Sequence, residues 1–141
     1  MLCKRIIFAH VLEGILMKLW IRRWGPAIMM MALIFTASSI PGSELPQLRF
    51  WDTLAKKTGH MVGYALLAAS YLHAVNKGRR LNTVQILAAF CLTILYALSD
   101  EWHQGFTPGR TPSYWDVLID AGGGLIGLAL LRVLRTRVRD A

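Results

Sequence analysis

Between Ser99 and Asp120 the chain reads SDEWHQGFTPGRTPSYWDVLID, with four carboxylates, a histidine, a glutamine and an arginine between two apolar segments. Ionisable groups at a bilayer are costly and point to function by default. If a helix continues through Asp100, His103 and Gln104, the three share one face by the i, i+3, i+4 rule. Asp100 or Glu101 with His103 then forms an acid/base pair, or part of a divalent-metal site. His60 is the other histidine able to reach this surface, so the expected metal ligands are Glu101, His103 and His60. His73 belongs to the far end of its segment, and His10 lies in the leader.

The remaining polar residues suit binding. Asp116 and Asp120 stand at i and i+4 on one helical face. Ser113-Tyr-Trp-Asp116 reads as a capping box behind Pro112, which gives Asp116 a structural role. Asp120 lies about 6 Å further along the axis, where capping does not account for it. Arg110, set by the turn Thr107-Pro108-Gly109, is its expected partner, or else the holder of an anionic substrate group such as phosphate. Trp102, Phe106, Tyr114 and Trp115 suit an aromatic belt at headgroup level.

The elements that must position these groups are membrane helices. Of 141 residues 55% are hydrophobic and 17% charged, with a mean hydropathy of +0.42. Four segments are long and apolar enough for crossings: 24–40, 58–75, 81–98 and 113–131. Twelve of the 16 basic residues fall before the first segment, between the second and third, and after the fourth. By the positive-inside rule both termini are cytoplasmic, and the loops 41–57 and 99–112 face outward. The expected fold is therefore all-α: a four-span integral membrane protein with both termini cytoplasmic.

The domain reading is a basic leader, 1–23, a membrane domain, 24–131, and a basic tail, 132–141. Residues 1–16 either form an interfacial helix or precede a true start at Met17, of which the second is preferred. A cleaved signal peptide is not expected. The net charge of +8 sits at segment ends, as topology signals do, so nucleic acid is not an expected partner. Cys3 and Cys91 form no Cys-x-x-Cys pair, which supports neither a disulfide framework nor a thiolate zinc site. Gly59/Gly63 and Gly123/Gly127 each make a G-x-x-x-G, suited to close helix approach in lipid.

The ordered residues SDEWHQGFTPGR, then Asp116, then Gly123 and Gly124, preceded by His60 and Tyr64, resemble the VanZ-like family of small bacterial membrane proteins. The resemblance spans roughly residues 24 to 131. It carries over to His60, Asp100, Glu101, His103, Gln104, Phe106, Arg110 and Asp116; Asp120 departs from the asparagine such proteins often carry. The family is named for a teicoplanin-resistance protein, so the resemblance implies a link to the cell envelope and to glycopeptide resistance.

Three functions follow. The first is a membrane hydrolase or transferase acting on a lipid-linked or cell-envelope component. Asp100, Glu101, His103 and His60 would do its chemistry, with a divalent metal where one is used. Gln104, Phe106, Arg110, Tyr64, Asp116 and Asp120 would hold its substrate. The second is a non-catalytic factor that binds an envelope component, glycopeptide or partner protein through the same surface. The third is an oligomeric transporter of ions or small solutes, against which the polar residues stop at the outer turns.

Overall fold

The helices begin and end where side chains supply what the backbone lacks. At the start of the third apolar segment, Asn82 Oδ1 accepts from the Gln85 N–H at 2.8 Å, and the Asn82 N–H donates to Gln85 Oε1 at 3.3 Å. This reciprocal cap satisfies two donors that no intrahelical carbonyl reaches. In the computed structural model, which describes residues 2–44, 50–76 and 81–140, the chain is all-helical. Its elements are α1 (Leu2–Ser38), a 3-10 turn (Gly42–Glu44), α2 (Phe50–Val75), α3 (Thr83–Gln104) and α4 (Tyr114–Asp140).

Four helices match the expected number, and each is longer than the apolar segment it contains. α1 runs unbroken through the leader and past Pro26, whose missing N–H forfeits one bond without ending the helix. α3 continues through Asp100, His103 and Gln104, and α4 extends into the basic tail. Arg49, Lys77, Arg79 and Arg80, which enter the charge count, lie outside the described residues.

Among the described residues, Thr83–Gln104 and Tyr114–Val138 are long and apolar enough to cross a membrane, with mean hydropathies of 1.6 and 1.9. Only 22% of each is buried, so neither is the enclosed core helix of a soluble domain. Leu87, Leu95, Leu125, Ile126 and Leu130 are all more than half exposed. Such a continuous apolar surface needs a lipid or protein cover.

α2 packs against all three other helices, and α1 and α4 lie apart on either side of it. The core follows α2 through Tyr64, Leu67, Ala68, Tyr71 and Leu72, met by Ala89 and Ala97 of α3 and Leu128 of α4. Gly123 and Gly127 bring α4 onto the α2 backbone. A Cβ on Gly123 would strike the Met61 carbonyl, and one on Gly127 would sit 2.6 Å from Ala65 O. Gly59 and Gly63 do not do this: nothing lies within 4 Å of a Cβ on Gly59, and Gly63 would make ordinary contact with Ile34. The expectation of close helix contact at both repeats thus holds only for the second.

α1 is tied to α3 by the Tyr96 hydroxyl, which donates to Met31 O at 2.6 Å. Beyond α3, the Gly42 N–H donates to Pro108 O at 2.9 Å, and Gly109 takes φ +72° against it. That backbone region favours glycine, and the close approach leaves no room for a side chain. The loop after α3 is thereby pinned to the end of α1.

Candidate functional site

One end of the bundle collects the end of α1, the first half of α2, the end of α3 and the start of α4. Asp100 and Gln104, one turn apart on α3, meet there as the spacing predicts. Gln104 Nε2 donates to Asp100 Oδ2 at 3.0 Å, and the Ser38 hydroxyl of α1 donates to the same oxygen at 2.8 Å. Asp100 Oδ1 is buried without a hydrogen-bond partner. Ser38 is an addition to the expected set. It stands 62 residues from Asp100, so no local spacing could announce it.

Glu101 takes up a task the sequence assigns to Asp116. Its Oε2 accepts from the Ser113 N–H at 2.8 Å, reaching from α3 to cap the start of α4. The capping box is therefore half formed. Ser113 Oγ accepts from the Trp115 N–H at 3.2 Å, but the Asp116 carboxylate turns to Lys57 Nζ at 3.4 Å. With a carboxylate of α3 already on the N-cap amide, Asp116 is free to face α2. Glu101 Oε1 is buried and has no hydrogen-bond partner.

Asp120 is fully buried, and His60 Nδ1 lies 3.5 Å from its Oδ1. The ion pair is with His60 and not with Arg110, as the sequence suggests. Arg110 instead donates from Nε to Ile40 O at 3.3 Å and from Nη2 to Ala37 O at 3.1 Å. The pinned loop lays the guanidinium against the end of α1, where carbonyls lack helical partners and the dipole is negative. The glycine seam meanwhile brings α4 onto the α2 face that carries His60.

His103 leaves the group. Its ring stacks on Phe35 with centroids 4.3 Å apart, and its Nε2 sits 3.0 Å from Ser39 Oγ. Phe106 is 70% exposed and packs edge-on against Trp102, outside the polar cluster. Tyr64 stays inside: it is fully buried, its ring lies 6.2 Å from that of His60, and its hydroxyl is unpartnered. The expected ligands Glu101, His103 and His60 are thus pulled to different partners. Among the described residues, the grouping able to hold a metal is His60, Asp100 and Asp120, whose ligand atoms lie within 4.8 Å of one another.

His60 and Asp120 line a cavity of about 180 Å³. Lys56, Lys57 and Arg110 line it together with the carboxylates of Glu101, Asp116 and Asp120, and His60 and Gln104 complete the polar wall. Lys57 stands one turn before His60, so its place was open to an i, i+3 reading. A second space of about 360 Å³ adjoins it between α1 and α2. Met30, Leu33 and Ile34 of α1 face Gly59 and Gly63 of α2 there, and the two spaces share Lys56, His60 and Arg110. The arrangement sets three cations among three carboxylates, able to hold a charged group, with an apolar groove beside it. The His60–Asp120 pair can also move a proton.

No match was found among curated proteins or among solved structures. The profile of the VanZ/LLP1 family matches residues 19–135, which contain every residue lining the two spaces. The chain belongs to the VanZ/LLP1 family.

Proposed function

We propose that the protein crosses the bacterial cytoplasmic membrane four times, with both termini inside, and binds a lipid-linked cell-envelope component at its outer face. The charged headgroup enters the polar cavity and the lipid chain lies in the groove between α1 and α2. The observation that carries this reading is the continuity of the two spaces through Lys56, His60 and Arg110. An amphipathic anion needs both halves: cations for its phosphate or carboxylate, and an apolar slot for its chain.

The placement of charge supports the orientation. Arg22 and Arg23 gather with His73 and Asn76 at the opposite end of the bundle from the acids, as positive-inside topology requires. Arg110 uses two of its five N–H groups on α1 carbonyls, which leaves the others for an anion. Gln104 and the carboxylates Glu101, Asp116 and Asp120 then shape the headgroup side of the cavity, with Asp100 hydrogen-bonded to Gln104.

A second reading rests on the His60–Asp120 contact of 3.5 Å. An imidazole held by a buried carboxylate is a general base, and it would serve a hydrolase or transferase acting on the bound headgroup. The two readings part in cells carrying wild-type protein, Arg110→Ala or His60→Ala. Lipid profiles and muropeptides are compared, together with teicoplanin susceptibility. A binding protein loses its effect in Arg110→Ala and keeps most of it in His60→Ala, whereas an enzyme loses it in both and accumulates unprocessed lipid. Identical profiles for all three strains and a strain without the protein would refute both.

A further inference from the structure

At and behind the cavity wall, buried carboxylates hold more charge than the side chains around them settle. Asp100 is 2% exposed and Asp120 fully buried, yet Asp100 Oδ1 and Asp120 Oδ2 lack hydrogen-bond donors, and Asp120 Oδ1 has only the His60 ring 3.5 Å away. The Tyr64 hydroxyl, also fully buried, lies near both acids and faces Asp100. Of the neighbouring donors, Ser38 and Gln104 serve Asp100 Oδ2 and Lys57 serves Asp116, and neither bond of Arg110 goes to Asp100 or Asp120. Carboxylate oxygens buried without a donor are expensive unless a proton or a cation joins them.

We propose that His60, Asp100 and Asp120 bind a divalent transition-metal ion, of the zinc or manganese class. Their ligand atoms lie within 4.8 Å of one another. Atoms sharing such an ion at about 2.0–2.2 Å are at most roughly 4.4 Å apart, so small side-chain rotations close the set. One imidazole and two carboxylates give a ligand charge of minus two, which a divalent ion neutralises. With no thiolate in the set, the donors suit zinc or manganese better than copper(I). The three come from three helices, and only α3 and α4 contribute carboxylates.

The choice of these three over Glu101 and His103 follows from what each side chain already holds. Glu101 caps α4 through Ser113, and His103 is occupied by Phe35 and Ser39. His60 and Asp120 also line the cavity, so an ion there would meet any anion drawn in by Lys56 and Lys57. The metal site stands on ligand geometry alone, and it can hold or fail separately from the lipid reading.

The test uses the untagged full-length chain in detergent, stripped with a chelator and then titrated with Zn²⁺ or Mn²⁺ alone. After desalting, bound metal is counted by plasma mass spectrometry, and helicity and gel-filtration profile report folding. The expected result is one equivalent of one of these ions on the wild-type chain. Asp120→Asn and His60→Ala should weaken binding at least roughly tenfold with folding unchanged. His10→Ala, at an exposed histidine far from the cavity, should bind as wild type does. Co²⁺ supplies a second readout, because its d–d bands in the wild-type chain should shift or vanish in His60→Ala even where Asp100→Asn fails to fold. Folded wild-type chain that retains neither ion above a buffer blank would overturn the proposal. So would undiminished uptake in both Asp120→Asn and His60→Ala. Lipid binding without metal uptake removes this site and keeps the lipid reading; metal uptake without lipid binding does the reverse.

Discussion

Gly123 and Gly127 of α4 press against the backbone of α2, where added Cβ atoms would meet the carbonyls of Met61 and Ala65. Gly59 and Gly63 of α2 have the same spacing but border the apolar groove toward α1, with no comparable close approach. One repeat is used to bring helices together and the other to keep space between them. A G-x-x-x-G reports small side chains on one helical face; whether a neighbour fills the gap depends on the partner helix. Here Ala65 and Met61 present backbone to α4, while Met30, Leu33 and Ile34 of α1 hold the other face open with longer side chains.

The comparison is most severely tested by Gly123→Val. Overpacking against backbone has no cheap relaxation, so destabilisation of about 3 kcal/mol is expected, read as a lower unfolding midpoint in detergent. A midpoint within error of wild type would break the seam. Gly59→Leu is the counterpart. It should leave the midpoint nearly unchanged and fill the groove, weakening retention of a polyprenyl phosphate by roughly tenfold, about 1.4 kcal/mol. Loss of stability there with lipid retention intact would turn the groove back into a packing surface.

Asp120→Asn probes the polar end with a smaller effect of opposite sign. In metal-free, lipid-free protein it removes an incompletely compensated buried charge, so unfolding should become harder by about 1 kcal/mol. Destabilisation instead would mean that the His60 contact already compensates Asp120. The least change is expected from the pair of Lys57 and Asp116, which is half exposed at 46% and 35%. Lys57→Ala should alter stability by under about 0.5 kcal/mol, while still weakening headgroup binding.

Much of this was legible in the residues. Apolar run lengths announced four helices, and the i, i+4 spacing of Asp100 and Gln104 put them on one helical face. The depth of Asp120 marked it as the acid that capping could not explain. What spacing could not convey was the partner chosen across helices. Ser38 reaches Asp100, Glu101 caps α4 and His103 turns to Phe35, each through contacts set by helix packing and not by sequence separation. The misassigned partner of Asp120 has the same origin: a turn can aim Arg110, but only the Gly42–Pro108 tie sends it to α1.

The central claim is that one amphipathic anion occupies both the polar cavity and the α1–α2 groove. The most direct measurement is photo-crosslinking of the full-length chain in lipid nanodiscs with a polyprenyl phosphate carrying a diazirine near its phosphate. The crosslinks should fall on Met30, Leu33, Ile34 or the Lys56–Gly63 stretch. An unlabelled polyprenyl phosphate should compete them away, and the uncharged polyprenol should not. In Arg110→Ala with Lys56→Ala they should fade. Label spread evenly over outward-facing residues such as Leu87, Leu95 and Leu125, or indifferent to the phosphate, would contradict the account.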